Sequence, residues 1–237
     1  MKIALASTPV RNGDVASNLT QMAKYISLAK EQGAELVCFG EAYLQGFDSL
    51  TWDFEEDKGT AVSCNSGLFQ IIIGWTRDGG IDLMFGFLER DGEEIYSSCA
   101  LVSQGALVRK YRRVSKGWKE YSRTDGHYRE GSEVELFEYK GRRCLMALCG
   151  DLWDDTAPRF KQDAELLFWP VYIDFSQEEW EGHARKEYVE KAAEFGGDVL
   201  MINPLDSNAL GGSCWFRDGE VKANLPLGEE GLLLVEV

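Results

Sequence analysis

Residues 2–39 read Lys2-Ile-Ala-Leu-Ala-Ser7, Thr8-Pro-Val-Arg-Asn-Gly13, Asp14-Val-Ala-Ser-Asn-Leu-Thr-Gln-Met-Ala-Lys-Tyr-Ile-Ser-Leu-Ala-Lys-Glu-Gln32 and Gly33-Ala-Glu35-Leu-Val-Cys-Phe39. The apolar runs Lys2 to Ser7 and Glu35 to Phe39 have the length of buried strands. Between them Leu19, Met22, Ala23, Ile26 and Ala29 recur at helical spacing, so Asp14 to Gln32 is predicted to be a helix, closed by Gly33. Strand, helix, strand is the unit of a parallel sheet, and it places this chain in the α/β class.

The same alternation continues outward. A second helix is expected over Ser66 to Thr76, then a hairpin of Asp82 to Leu88 and Ile95 to Ser103 turning at Asp91-Gly92, and a strand from Ala106 to Val114. Ser115 to Gly131 is polar, aromatic and irregular, like a functional loop. Beyond it, strands are predicted at Val134 to Tyr139, Cys144 to Cys149 and Glu165 to Val171. A short helix follows Asp154, and a long one runs from Gln177 to Phe195. Val199 to Asn203, Gly212 to Phe216 and Leu232 to Val237 finish as strands, with a hairpin turn at Asp218-Gly219. No linker separates the halves, and both repeat a plan of strands plus helices. One α/β domain over residues 1–237 with internal pseudo-symmetry is therefore expected.

A chain of 237 residues buries a core without crosslinks. Its 40 acidic against 25 basic side chains give a formal charge of −15, which repels phosphate backbones and anionic lipid. No nucleic-acid or membrane partner is expected. The N-terminal apolar stretch is too short for a signal sequence and breaks at Pro9, so a cytoplasmic location is expected. There the six cysteines (38, 64, 99, 144, 149 and 214) should be thiols, and the Asn18-Leu19-Thr20 acceptor pattern has no meaning.

Histidine supply narrows the chemistry, because only His127 and His183 exist. Neither a Ser-His-Asp site nor a histidine-rich metal site has much to work with. Each histidine reads first as a surface or packing residue, although His127, in the irregular loop, could approach a thiol. Cys144-Leu-Met-Ala-Leu-Cys149-Gly150-Asp151 instead puts a cysteine at the exit of an apolar strand, before a glycine whose amide can donate to a developing oxyanion. Taken alone, Cys149 reads as a buried inert thiol, and Cys144 fits that description better still. Leu36-Val-Cys-Phe-Gly40-Glu41 presents a carboxylate at a second strand exit, where a dry pocket would let it take a proton from a thiol. Taken alone, Glu41 is a solvated cap. Glycine-rich phosphate loops are missing.

Together these pieces resemble the nitrilase, or carbon-nitrogen hydrolase, superfamily over essentially the full length. The likeness runs through Lys2 to Ala6, Gly13-Asp14, Asn18-Leu19, Gly33 to Val37, Phe39-Gly40-Glu41 and Ile95 to Ala100. It continues through Lys110-Tyr-Arg-Arg-Val114, Tyr128 to Gly131 and Ala147-Leu-Cys-Gly-Asp151. It closes with Leu166 to Pro170, Ala184 to Glu194, Asn203, Gly211 to Ser213 and Asp218 to Glu220. The resemblance implies a four-layer α-β-β-α sandwich whose site gathers Glu, Lys and Cys in chain order. Glu41 matches the general base, Cys149 the nucleophile, and Gly150 supplies an oxyanion amide. The family's lysine position holds Arg113, which keeps the charge but has a pKa too high for easy proton transfer and a wider, planar head. Lys110 and Lys116 are the alternative cations, although an offset of three residues flips the face of a straight strand.

Other departures are Gly40 where Pro is usual, Ser97 where Asn is usual, and Leu152-Trp-Asp-Asp155 after the nucleophile. The second pocket carboxylate of many members has no clear match in this sequence; Asp125 and Glu120 are candidates for it, each equally readable as a solvated loop charge. Trp118, Tyr121, Trp153, Trp169 and Tyr172 are candidates for the pocket wall or the core. The resemblance implies an amidase-like thiol hydrolase for a small linear amide or carbamoyl compound, without cofactor or metal, acting as a homodimer or larger assembly. A glutaminase feeding a synthetase is not expected. The competing expectation is a ligand-binding or interaction protein that Arg113 has switched off.

Overall fold

The computed structural model describes residues 1–78, 80–153 and 155–237. Two six-stranded sheets make up its middle. In chain order the strands are β1 (Lys2–Ser7), β2 (Leu36–Cys38), β3 (Asp82–Asp91), β4 (Glu94–Ser103), β5 (Ala106–Arg112), β6 (Phe137–Tyr139), β7 (Arg142–Met146), β8 (Leu166–Pro170), β9 (Asp198–Ile202), β10 (Cys214–Arg217), β11 (Glu220–Asn224) and β12 (Gly231–Glu236). One sheet is ordered β12-β1-β2-β3-β4-β5 and the other β6-β7-β8-β9-β10-β11. Read in that direction, both run antiparallel, parallel, parallel, antiparallel, antiparallel. The expected pseudo-symmetry is thus carried by strand order itself.

Strand alternation assigns the layers. Ala4 and Ala6 face a cluster with Met22, Tyr25 and Ala29 of helix α1 (Val15–Glu31) and Phe69, Ile72 and Ile73 of α3 (Gly67–Gly74). Ile3 and Leu5, one residue out of phase, face the other sheet and share a core with Leu145, Phe168 and Leu200. Each such fully buried side chain contributes about 1.5–3 kcal/mol. The outer layer on the second sheet is a rod of α4 (Gln177–Glu179), a π-helical turn Trp180–Ala184 and α5 (Arg185–Phe195), seated through Trp180, Ala184, Tyr188 and Ala192. The layers are therefore α-β-β-α. Asp14 caps α1 by accepting from the Ser17 amide, and Gly33 ends it at φ +77°.

Several boundaries differ from the sequence expectation. The β7 ladder stops at Met146 because the chain turns into a 3₁₀ segment, Cys149–Leu152, so Cys149 lies beyond the strand and not at its last residue. The strand expected from Val134 starts at Phe137, and the strand expected to reach Val114 ends at Arg112. The long helix carries a π turn, which its periodicity does not reveal. Helix α2 (Phe54–Thr60), short and largely polar, has no counterpart in the sequence expectation, whereas the hairpin expected at Asp218-Gly219 is present and leads into strand β11. The short helix expected after Asp154 is a 3₁₀ turn at Ala157–Phe160, while Asp154 itself lies outside the described residues. No helix among the described residues is long and apolar enough to cross a membrane.

Candidate active site

Glu41 follows β2 by three residues and is fully buried. Its backbone is held by the amide of Glu41 donating to the Val171 carbonyl at 3.2 Å and by the amide of Gly86 donating to the Gly40 carbonyl at 3.1 Å. Gly86 is required there, because a methyl group on it would lie 2.5 Å from the Gly40 oxygen and 2.7 Å from Glu41 Cα. The carboxylate accepts from Ser97 Oγ at 2.8 Å on Oε1, and from Arg113 Nη1 at 3.0 Å on Oε1 and 3.3 Å on Oε2.

Arg113 stands one residue past β5, with its amide still donating to the Ser97 carbonyl at 2.9 Å. Its guanidinium is almost fully buried and spread over three partners. Besides Glu41, Nε donates to Ser115 Oγ at 2.9 Å and Nη2 to the Lys116 carbonyl at 3.2 Å. Burial disfavours its charge, but Glu41, Cys149 and Asp151 outweigh burial and hold it protonated above its ordinary value. Of its five donors, one Nη2 hydrogen has no partner among the described residues. Nη2 also faces the Cys149-Gly150 turn, since a methyl group on Gly150 would sit 2.8 Å from it and 3.3 Å from Ser115 Oγ.

Cys149 adopts φ +39°, an uncommon conformation for a residue with a side chain. The turn is enforced by Asp151, whose buried carboxylate accepts from the Leu148 amide (2.8 Å), the Val114 amide (3.1 Å), the Ser115 amide (2.7 Å) and the Tyr111 hydroxyl (2.5 Å). One carboxylate thereby ties the Cys149 turn to the segment after Arg113. Trp169 Nε1 donates to the Cys149 carbonyl at 2.9 Å, and the half-buried thiol donates to the Tyr172 carbonyl at 3.5 Å. Burial pushes the thiol up to about 11; Arg113 pulls it down and Glu41 pushes it up. The sulfur is therefore protonated near neutral pH.

The structure brings Glu41, Arg113, Cys149 and Gly150 together and leaves other candidates elsewhere. Lys110 pairs with Glu89, and Lys116 is exposed, contributing only its carbonyl. Arg113 is the cation at Glu41. The two candidate second carboxylates lie elsewhere: Asp125 is exposed and bonds His127, and exposed Glu120 bonds Ser122. A buried carboxylate without a distinctive sequence signal is Asp151, marked along the chain only by its position two residues after Cys149. His127 stacks on Phe54 with centroids 3.9 Å apart, and His183 is exposed. Trp169 does meet Cys149, through the Cys149 carbonyl, and Trp153 packs on Trp169, whereas Tyr172 reaches the thiol only with its backbone carbonyl and stacks its ring on Phe47; Trp118 packs with Trp52 and Tyr128 in a separate cluster and Tyr121 is exposed. No group of three or more His, Cys, Asp or Glu among the described residues could hold a metal ion.

Comparison with known proteins gives this geometry a family. The family model described as carbon-nitrogen hydrolase matches residues 2–237. Among curated relatives, a glutamine-dependent NAD(+) synthetase from Thermotoga maritima is 24% identical over 161 residues, covering 67% of this chain and 27% of its own. An arylacetone-specific nitrilase from Alcaligenes faecalis is 26% identical over 204 residues, covering 77% and 54%. The chain thus spans about a quarter to a half of the length of these relatives. Among solved structures, an amidase from Nesterenkonia sp. AN1, with acrylamide added at its active-site cysteine, superposes with TM-score 0.81 at 20% identity, covering all of this chain and 93% of that one. A glutamine-dependent NAD+ synthetase from Acinetobacter baumannii gives 0.82 at 20% identity, over 98% and 44%. The structural likenesses establish the nitrilase-type fold, and the match of the family model along the whole length decides the lineage: the chain belongs to the carbon-nitrogen hydrolase family of the nitrilase superfamily.

Proposed function

We propose that this protein is a thiol hydrolase cleaving a non-peptide C–N bond of a small linear amide or carbamoyl compound. The observation that carries the reading is the Arg113 guanidinium, which holds Glu41 through Nη1 and lies against Gly150 through Nη2. Acid group, fixed cation and nucleophile turn thereby meet in one buried place. Glu41 takes the thiol proton and the sulfur attacks the amide carbon, whose oxygen becomes an oxyanion. The Gly150 amide and the spare Nη2 hydrogen of Arg113 stabilise that oxyanion. Glu41 returns the proton to the nitrogen, the C–N bond breaks, and ammonia or an amine leaves. Water then gives a proton to Glu41 and attacks the thioester, and the released sulfur recovers its proton. Arg113 donates hydrogen bonds throughout and transfers no proton.

Relatives that are glutamine-dependent synthetases support including glutamine among the linear amides. By family analogy the protein works in the cytoplasm as a homodimer or larger assembly, without nucleic acid, membrane or cofactor. The deciding experiment measures ammonia release over a panel of amides, carbamoyl compounds and nitriles, with glutamine included, using wild type and Cys149→Ala. Turnover by wild type alone is expected. Equal rates in the two would end the hydrolase reading in favour of a ligand-binding protein in which Arg113, pinned by Glu41, Ser115 and Lys116, no longer serves chemistry.

A further inference from the structure

Two consecutive carbonyls after β8 hold the two halves of the site. The Val171 carbonyl accepts from the Glu41 amide at 3.2 Å, and that of Tyr172 accepts from the Cys149 thiol at 3.5 Å. Val171 to Ile173 lie beyond the strand, which ends at Pro170, so something other than a sheet ladder must fix them.

That support comes from the two residues after β9, Asn203 and Pro204. Parallel strands exchange bonds alternately, and the last of the series along β8 and β9 is the Val171 amide donating to the Ile202 carbonyl at 2.8 Å. The next would run from the amide of residue 204 back to the Val171 carbonyl. Proline has no N–H to give, which leaves that carbonyl to Glu41. Pro204 also backs the residue before Glu41, since a methyl group on Gly40 would lie 2.5 Å from Pro204 Cδ. Asn203, fully buried, replaces the interrupted ladder with its side chain. Its Oδ1 accepts from the Ile173 amide at 3.0 Å, while Nδ2 donates to the Ile173 carbonyl at 3.1 Å and to the Gly211 carbonyl at 2.7 Å. Both N–H groups of the carboxamide are thereby used, and Ile173 is gripped at both of its backbone groups.

We infer that Asn203 and Pro204 are positioning residues of the Cys149 site: Asn203 clamps Ile173, Pro204 withholds a competing amide, and together they set the two carbonyls on which Glu41 and the sulfur rest. The inference rests on the proposed hydrolase reading for its effect on turnover but not for its effect on the backbone. Asn18 supplies a matched control. It too is fully buried, with Oδ1 accepting from the Arg11 amide at 2.8 Å and Nδ2 donating to the Arg11 carbonyl at 2.8 Å and the Leu44 carbonyl at 3.2 Å. Neither Arg11 nor Leu44 bonds Glu41 or Cys149 among the described residues.

Steady-state kinetics and hydrogen exchange of the Glu41 amide are measured in Asn203→Ala, Pro204→Ala and Asn18→Ala, with exchange along β1 as the reference for overall stability. Asn203→Ala should speed exchange at Glu41 by about tenfold or more beyond any change along β1. It should also lower kcat by about a hundredfold, the cost of a displacement of about 1 Å, with KM within about threefold. Pro204→Ala loses no hydrogen bond and gains an amide that competes for the Val171 carbonyl, so it should act in the same direction and more weakly, and it serves as the test if Asn203→Ala does not fold. Asn18→Ala should lower the unfolding temperature comparably yet leave kcat within about threefold and exchange at Glu41 in step with β1. Exchange at Glu41 that follows β1 in both site variants, or that outruns it equally in Asn18→Ala, overturns the inference. Faster exchange at Glu41 in a protein whose wild type hydrolyses no amide leaves the inference standing and removes the hydrolase reading instead.

Discussion

Strand β5 and the residue after it present two adjacent arginines to opposite sides, and each neutralises a buried glutamate. Arg112 and Ser98 serve Glu89, while Arg113 and Ser97 serve Glu41. Adjacent residues on strands β4 and β5 face opposite ways, so the two Glu-Ser-Arg clusters lie back to back across the sheet. Their saturation differs. Glu89 is gripped by the Arg112 fork, Nε to Oε2 at 2.9 Å and Nη2 to Oε1 at 2.8 Å, with Ser98 at 2.6 Å and Lys110 completing both oxygens. Burial alone would push its carboxyl up, but Arg112, Lys110 and Ser98 bring it below the ordinary value of 4.5. Glu41 takes its bonds mainly on Oε1 and has only the 3.3 Å contact on Oε2. A fully coordinated carboxylate is a structural tie. One with an oxygen to spare, beside a protonated thiol, is a group that can accept a proton.

Exchanging the two glutamates one at a time tests that contrast most severely. Glu41→Gln should lower hydrolysis by about 10²–10⁴-fold, the usual worth of a general base, in a steady-state assay. Glu89→Gln should leave kcat within about threefold and instead cost about 3–5 kcal/mol of stability in denaturant unfolding, as breaking a buried pair does. Because the folded Glu89 carboxyl lies below its unfolded value, its stabilisation is fully present above about pH 4.5 and fades as pH falls through the folded pKa. The melting-temperature gap between wild type and Glu89→Gln should therefore close on acidification. A large kcat loss in Glu89→Gln would erase the distinction.

Gly150→Ala comes next. Its methyl group would press on Arg113 Nη2 at 2.8 Å, and a displacement of about 1 Å at a site costs about a hundredfold, seen in kcat with KM little changed. Arg113→Lys keeps the charge at Glu41 but gives up the fork to Ser115 and the Lys116 carbonyl. A loss of about tenfold in kcat/KM is expected, and a gain would mark Arg113 as a lesion rather than an adaptation. The smallest effects belong to the serines. Ser97→Ala and Ser98→Ala should each cost about 1.5–3 kcal/mol of stability for a hydrogen bond to a charged group, with a several-fold loss of turnover in the first and none in the second.

Much of this architecture is legible in the residues. The apolar strand runs, the helix between Asp14 and Gly33, and Cys149 and Glu41 each set beside a glycine all carry local signals. What escapes a linear reading is side-chain direction across the sandwich. Nothing along the chain distinguishes Arg112 from Arg113 by the glutamate it meets, and Asp151 looks like a loop acid until four donors are found converging on it. The π turn at Trp180–Ala184 is invisible for a related reason: it adds a residue to the rod while the buried face still repeats at helical spacing.

The most direct test of the central claim, that Cys149 attacks with Glu41 beside it, is acid-quench mass spectrometry of the wild-type protein during turnover of whichever amide releases ammonia. A mass gain equal to the acyl group is expected, located on the peptide containing Cys149 and lost when the amide is exhausted. Undiminished hydrolysis in Cys149→Ala, or an acyl group found only on another thiol, would contradict it.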